Sequence, residues 1–98
     1  MMSKKIKLAL VDDEQLILEG IRMLLSMEKN IFVTYKTTSA ADFIDHLETL
    51  EPVDFPDIAM IDIQMQPMDG FELVEILKKK HPELKIIILS SHYKSSVL

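Results

Sequence analysis

Short apolar runs alternate with amphipathic stretches along this chain, and that alternation limits the folds open to it. The runs occupy residues 6–11, 31–35, 58–61 and 85–89, and each predicts a short buried strand. Between them, apolar residues recur every three or four positions, which predicts helices. Strands that are apolar throughout suit a parallel sheet covered by helices on both faces. The order β-α-β-α-β-α-β therefore predicts an open α/β sheet with right-handed crossovers.

The three predicted helices have recognisable buried faces and beginnings. In the first, apolar residues at helical spacing are expected to face the sheet: Ile17, Ile21, Leu24 and Leu25. Ser39 and Asp69 are expected to cap the second and third helices, because short polar side chains can accept the unpaired amides of a first turn. The third helix is expected to bury a longer set: Phe71, Leu73, Val74, Ile76 and Leu77.

Size, composition and charge narrow the class of protein. The 98 residues are 48% hydrophobic with two glycines, which predicts one globular domain over residues 1–98. A net charge of −5 argues against nucleic acid as a direct partner, and lysines 78–80 are better explained by the C-terminus of a helix. No apolar stretch reaches the ~18 residues of a membrane span, and no signal peptide is recognisable. A soluble, cytoplasmic chain with no membrane partner is expected.

Acidic residues follow two of the predicted strands at the point where each ends. Asp12 and Asp13 come after the first strand, and Asp62 comes after the third. Ligands of open α/β sheets gather at the carboxyl ends of strands, so these carboxylates are expected to lie together. Their mutual repulsion would be relieved by a cation, and oxygen ligands suit Mg²⁺. Asp62 is the best candidate for a nucleophile that accepts a phosphoryl group, and the Ser90 hydroxyl, after the fourth strand, could donate to that group.

Simpler interpretations compete with this one. A single aspartate after a strand is often a helix N-cap, and Asp12 or Asp13 could have that role alone. Four polar residues at strand ends favour a site over independent caps. Asp57 precedes its strand and is expected to be a turn residue at the opposite end of the sheet. The histidines at positions 46, 81 and 92 share no spacing that would indicate a metal site.

Four motifs in order carry a resemblance to a known family. They are Val-Asp-Asp-Glu at 11–14, Pro-Asp-Ile through Ile-Asp at 56–62, Met-Gln-Pro-Met-Asp-Gly at 65–70, and Ile-Ile-Ile-Leu-Ser-Ser at 86–91. Together they closely resemble the receiver domain of two-component response regulators, over essentially the whole chain. The resemblance implies a flavodoxin-like doubly wound parallel sheet of strand order 2-1-3-4-5. It also implies a phosphorylation-controlled signalling module, not an enzyme, whose output is the control of transcription.

The resemblance assigns a role to each candidate residue. Asp62 matches the phosphoacceptor, which receives phosphate from a histidine of a sensor kinase. Asp13 matches the direct Mg²⁺ ligand and Asp12 the second acid of that site. Gln64 matches the residue whose backbone carbonyl completes the metal site. Ser90 matches the hydroxyl residue that turns toward the phosphoryl group on activation.

The chain departs from the family at its end. Ser91 stands where alanine is most common, and Lys94 follows Ser90 too closely to be the family's phosphate-pairing lysine. The sequence stops before the family's last strand and helix, so we expect either that copies associate through the uncovered fourth strand or that the chain is a piece of a longer regulator. DNA contact is expected only through an output domain absent from the chain. The alternative function is a receiver-like interaction module that works without phosphorylation. A metal-dependent phosphatase ranks last, because Gln64 stands where such enzymes carry an acid.

Overall fold

The computed structural model describes residues 4–65 and 68–89, and its elements follow the predicted order. The strands are β1 (Ile6–Val11), β2 (Ile31–Thr37), β3 (Ile58–Asp62) and β4 (Lys85–Leu89). The helices are α1 (Gln15–Leu25), α2 (Ala40–Thr49) and α3 (Gly70–Lys80), with a short 3-10 turn at Pro52–Asp54. Only β2 differs appreciably from its prediction, because it runs two residues further.

All strand pairs of the described residues are parallel, and the strands lie in the order β2-β1-β3-β4. The chain begins near the middle of the sheet, moves outward to β2, and then crosses back to β3. That reversal is the mark of a doubly wound sheet. The predicted α/β fold is confirmed, with the first four positions of the 2-1-3-4-5 order in place. The reversal leaves the carboxyl ends of β1 and β3 side by side.

Helices cover both faces of the sheet and form two apolar clusters. On one face, Phe43 of α2 and Leu73 and Leu77 of α3 are fully buried against small strand residues such as Ala9 and Ala59. On the other face, α1 buries Leu18, which belongs to the same cluster as Leu8 and Leu10. The two central strands are therefore covered from both sides, which explains their continuous apolar runs.

Two residues predicted to face the core are exposed instead. Leu24 is 70% exposed and Phe71 is 59% exposed. At 3.6 residues per turn, Leu24 lies about 120° around α1 from the buried Leu18, and Phe71 lies about 200° around α3 from Leu73. Both predictions were wrong because apolar residues near the helical spacing were assumed to lie on the buried side of the helix. Leu24 and Phe71 lie on a different side.

The predicted helix caps are confirmed. Ser39 Oγ accepts a hydrogen bond from the backbone amide of Asp42 at 3.1 Å. Asp69 Oδ1 accepts one from the amide of Glu72 at 2.9 Å. Each bond satisfies an amide that the first turn of a helix leaves without an intrahelical acceptor. The cap at Asp69 fixes where α3 begins, only a few residues after β3.

Candidate functional site

The carboxyl ends of β1 and β3 bring three carboxylates into one small volume. Val11 is paired with Ile61 in the parallel register, so Asp12 and Asp62 follow at the same level of the sheet. Oxygen atoms of Asp12, Asp13 and Asp62 all lie within 4.8 Å of one another. The adjacency predicted from two strand ends is therefore present in the structure.

The three carboxylates differ in exposure. Asp12 and Asp62 are each 4% exposed, whereas Asp13 is exposed. Successive side chains at the end of a strand point in opposite directions, and this is why the two neighbours differ. The cluster consists of two enclosed carboxylates and one that faces solvent, and it is open from the side of Asp13.

Backbone amides hold one oxygen of each buried carboxylate. The amide of Glu14 donates to Asp12 Oδ1 at 2.9 Å, and the amide of Gln64 donates to Asp62 Oδ1 at 3.0 Å. Both bonds span two residues, the pattern of an Asx turn. The N-cap position of α1 is Glu14, so Asp12 is not a simple helix cap. Its side chain is instead fixed at the strand end, next to Asp62.

Burial and like charges disfavour the ionised form of Asp12. Desolvation raises the pKa of Asp12 from its ordinary value of 3.8 to about 6, opposed by the hydrogen bond from Glu14 and reinforced by the charges of Asp62 and Asp13. Desolvation and the charge of Asp62 also raise the pKa of Asp13. Because a nearby positive charge lowers the pKa of a carboxylate, these raised pKa values mean that a cation bound at the cluster would be stabilised by it.

The residues present fit a magnesium ion. The cluster offers only carboxylate oxygens, the hard ligands that Mg²⁺ prefers, and its open side leaves room for the waters that the ion retains. Gln64 lies two residues after Asp62 in the loop between β3 and α3, so its backbone belongs to the same end of the sheet. Ser90, Ser91 and Lys94 lie outside the described residues.

The residues that the sequence analysis excluded from the site lie elsewhere in the structure. Asp57 is at the opposite end of the sheet, where Oδ2 accepts a hydrogen bond from the amide of Lys7 at 2.8 Å. His46 stacks on Tyr35, and His81 lies beside Glu48 and Phe55.

Within residues 4–65 and 68–89, the aspartate trio is the only group of acidic or histidine side chains arranged to hold a metal ion. No helix in those ranges is long and apolar enough to cross a membrane.

One residue beside the site was missed by sequence reasoning. Gly70 had no predicted role of its own, yet it is buried and packs directly on the backbone of Asp62 and Ile63. The available signal was its position: glycine is a poor helix former, so its place as the first residue of α3 needs a packing reason.

Comparison with known protein sequences agrees with the geometry. Residues 8–98 match the family model described as the response regulator receiver domain. The transcriptional regulatory protein DegU of Brevibacillus brevis is 30% identical over 88 residues, which cover 90% of this chain and 36% of DegU. The response regulator VraR of Staphylococcus saprophyticus is 34% identical over 87 residues, which cover 89% of this chain and 40% of VraR. The chain thus spans less than half the length of these relatives.

Solved structures share the fold. RcsB of Salmonella typhimurium superposes with a TM-score of 0.80 at 24% identity, over 90% of this chain and 44% of that one. The isolated REC domain of RcsB, determined with the phosphomimetic BeF3−, gives a TM-score of 0.79 at 24% identity, over 96% of this chain and 70% of that one. With its sheet, its acidic site and a family match over residues 8–98, the chain belongs to the response regulator receiver domain family.

Proposed function

We propose that Asp62 accepts a phosphoryl group from a phosphohistidine of a sensor kinase, with Mg²⁺ held beside it, and that the resulting change of conformation controls an output. The observation that carries this proposal is the enclosure of Asp62, at 4% exposure, with oxygens of Asp12 and Asp13 within 4.8 Å. Buried charges in proteins are usually paired with an opposite charge or coordinate a metal ion. Among the described residues, the acidic groups that cluster with Asp62 are Asp12 and Asp13.

The hydrogen bonds of Asp62 indicate which of its oxygens reacts. Oδ1 accepts the amide of Gln64, so that oxygen is fixed and partly neutralised. The other oxygen, Oδ2, is assigned the attack on phosphorus. The new bond joins Oδ2 to phosphorus while the bond between phosphorus and the donor nitrogen breaks, and the departing imidazole takes up a proton. The product is an aspartyl phosphate, which forms with little covalent help from the protein because positioning and charge neutralisation supply most of the rate.

Four residues are assigned to the metal site. Asp13 and Asp62 would hold Mg²⁺ directly, Asp12 would be the second acid of the site, and the backbone carbonyl of Gln64 would complete it. When bound, the ion supplies positive charge that offsets the carboxylates and the phosphoryl oxygens. The exposure of Asp13 fits a ligand at the solvent side of the site, and the burial of Asp12 fits a second acid enclosed by the protein.

The switch and its partners follow from the same assignment. Phosphate on Asp62 favours the conformation in which the Ser90 hydroxyl donates to it, a shift between two existing states. DegU and VraR are named as regulators, and RcsB has been determined bound to DNA. We therefore assign the output to transcription, with DNA contacted by an output domain and not by this domain, and with the chain acting in the cytoplasm.

Intact mass after incubation with Mg²⁺ and a small-molecule phosphodonor tests the assignment. We expect one phosphoryl adduct on the wild-type chain, none on Asp62→Asn, and strongly reduced formation on Asp13→Asn. Asp57→Asn is the matched control, because Asp57 also accepts a backbone amide but lies at the other end of the sheet. That variant should keep the adduct.

Two results would contradict the proposal. An adduct that persists in Asp62→Asn would place the chemistry on another residue. The absence of any adduct on a folded wild-type chain would favour the alternative function, a receiver-like module that binds its partner without phosphorylation.

A further inference from the structure

Gly70 lies so close to the backbone of Asp62 that no side chain fits between them. A Cβ atom built on Gly70 would lie 2.9 Å from the carbonyl carbon of Asp62, and closer still to the carbonyl oxygen and to the Cα of Ile63. Separations under 3.0 Å are essentially never seen for real Cβ atoms. All three atoms belong to the main chain, so none can rotate out of the way as a flexible side chain would.

The contact holds the segment that carries the site. The Gly70 amide donates to the carbonyl of Ile63 at 3.1 Å, and the Ile63 amide donates to the carbonyl of Leu89 at 3.2 Å. The amide of Gln64 is in turn held by the Asp62 carboxylate. The backbone of residues 62–64 is thus held between the start of α3, the end of β4 and its own carboxylate. The capped first turn at Asp69 fixes Gly70 in position.

We propose that Gly70 is a positioning residue for the metal site: its close approach sets the orientation of the peptides at residues 62–64, and with them the Asp62 carboxylate and the Gln64 carbonyl. This inference rests on the proposed Mg²⁺ site. Adding a methyl group at position 70 must shift either α3 or the loop after β3. Changes in groups that orient metal ligands typically weaken metal binding about 10–100-fold.

The chain offers a matched control glycine. Gly20 is the only other glycine of the sequence, it lies in α1, and a Cβ there would meet nothing within 4 Å. Gly70→Ala and Gly20→Ala therefore add the same atom to two helices, one against the site and one in open space. We expect Gly70→Ala to weaken Mg²⁺ binding about 10–100-fold and Gly20→Ala to leave it within about twofold.

The measurement is the Mg²⁺ dissociation constant of the 98-residue chain, obtained by titration of the metal alone with no phosphodonor. Leu84→Val serves as a second control, because Leu84 is buried at the other end of the sheet and its shortening loosens the core without touching the site. Weakened binding in Gly70→Ala but in neither control supports positioning. Equal weakening in Leu84→Val would show a general effect of lost stability and overturn the inference.

A measurement on the wild-type chain covers the case in which Gly70→Ala does not fold. Labelling with ¹⁵N-glycine yields two amide resonances, because the sequence contains two glycines. We expect Mg²⁺ to shift the Gly70 resonance and slow its hydrogen exchange while Gly20 stays unchanged. If the Gly70 amide does not respond at saturating Mg²⁺, the inference about Gly70 is overturned while the proposed function stands. A wild-type chain that binds no Mg²⁺ removes the proposed function as well.

Discussion

Strands β1 and β4 have similar apolar sequences, Ile-Lys-Leu-Ala-Leu-Val and Lys-Ile-Ile-Ile-Leu, but very different surroundings. The last four residues of β1 are buried, whereas Ile87 and Ile88 of β4 are 46% and 45% exposed. β1 lies between β2 and β3, while β4 pairs with β3 alone within the described residues. An apolar run therefore predicts that a strand forms, and its neighbours decide how much of it is covered.

The difference in burial between the strands also concerns the position of the acidic site. The aspartates of the site follow β1 and β3, the two central strands, whose last apolar residues Val11 and Ile61 are fully buried. Close packing on both faces leaves these strand ends little freedom to move. The acidic cluster is thus attached to the most completely buried strands of the sheet.

The largest expected effect is the difference in stability lost when a buried side chain of β1 and a half-exposed side chain of β4 are shortened. Leu10 is 1% exposed in β1, so Leu10→Ala should lower the free energy of unfolding by about 2–5 kcal/mol. Ile88→Ala removes a half-exposed side chain from β4 and should cost less than half as much. Urea unfolding of the two variants measures the difference. Equal losses would mean that β4 is covered as completely as β1 in solution.

A second, intermediate effect concerns the charge at the end of β1. Native Asp12 has a pKa of about 6 against 3.8 for the unfolded chain, so the native state holds the proton more tightly. Stability contributed by protonated Asp12 is present below pH 4 and is lost as the pH rises through 6. Without divalent ions, this loss should reach about 1–3 kcal/mol by pH 7.

Asp12→Asn tests that effect, because an amide does not ionise. In a chelating buffer the variant should be more stable than the wild type at pH 7, with a smaller fall in stability between pH 4 and 7. Asp57→Asn, at the far end of the sheet, should leave the fall unchanged. Thermal unfolding over this pH range gives the answer, and an identical pH dependence in Asp12→Asn and wild type would remove the buried-charge explanation.

The smallest effect concerns the two half-exposed isoleucines of β4. We expect copies of the 98-residue chain to associate through this strand, and each half-exposed isoleucine to contribute about 1 kcal/mol when covered. Ile87→Thr with Ile88→Thr keeps β-branched residues in the strand but should weaken association about tenfold or more. Phe32→Thr on the other outer strand is the control, since Phe32 is 42% exposed. Sedimentation that finds only monomer at high concentration would contradict the expectation.

Local signals predicted most of the fold because each depends on residues close together in the sequence. Ser39 and Asp69 cap helices through bonds to amides three residues later, and the apolar runs predicted all described strands. The errors at Leu24 and Phe71 are different in kind. Which side of a helix faces the sheet depends on how the whole helix is seated, and neighbouring apolar residues do not specify that angle.

The acidic character of the site follows from the amino-acid sequence, because aspartates placed directly after strands must meet wherever those strands are neighbours. The differences between those aspartates come from the folded chain. Asp12 and Asp13 are adjacent in the chain, yet one is buried with a raised pKa of about 6 and the other faces solvent. The packing of Gly70 on Asp62 likewise depends on the fold: the sequence shows a glycine at the start of a helix, but a contact between backbones leaves no side chain that identifies its partner. Burial and close approach depend on what surrounds a residue, and those surroundings come from distant parts of the chain.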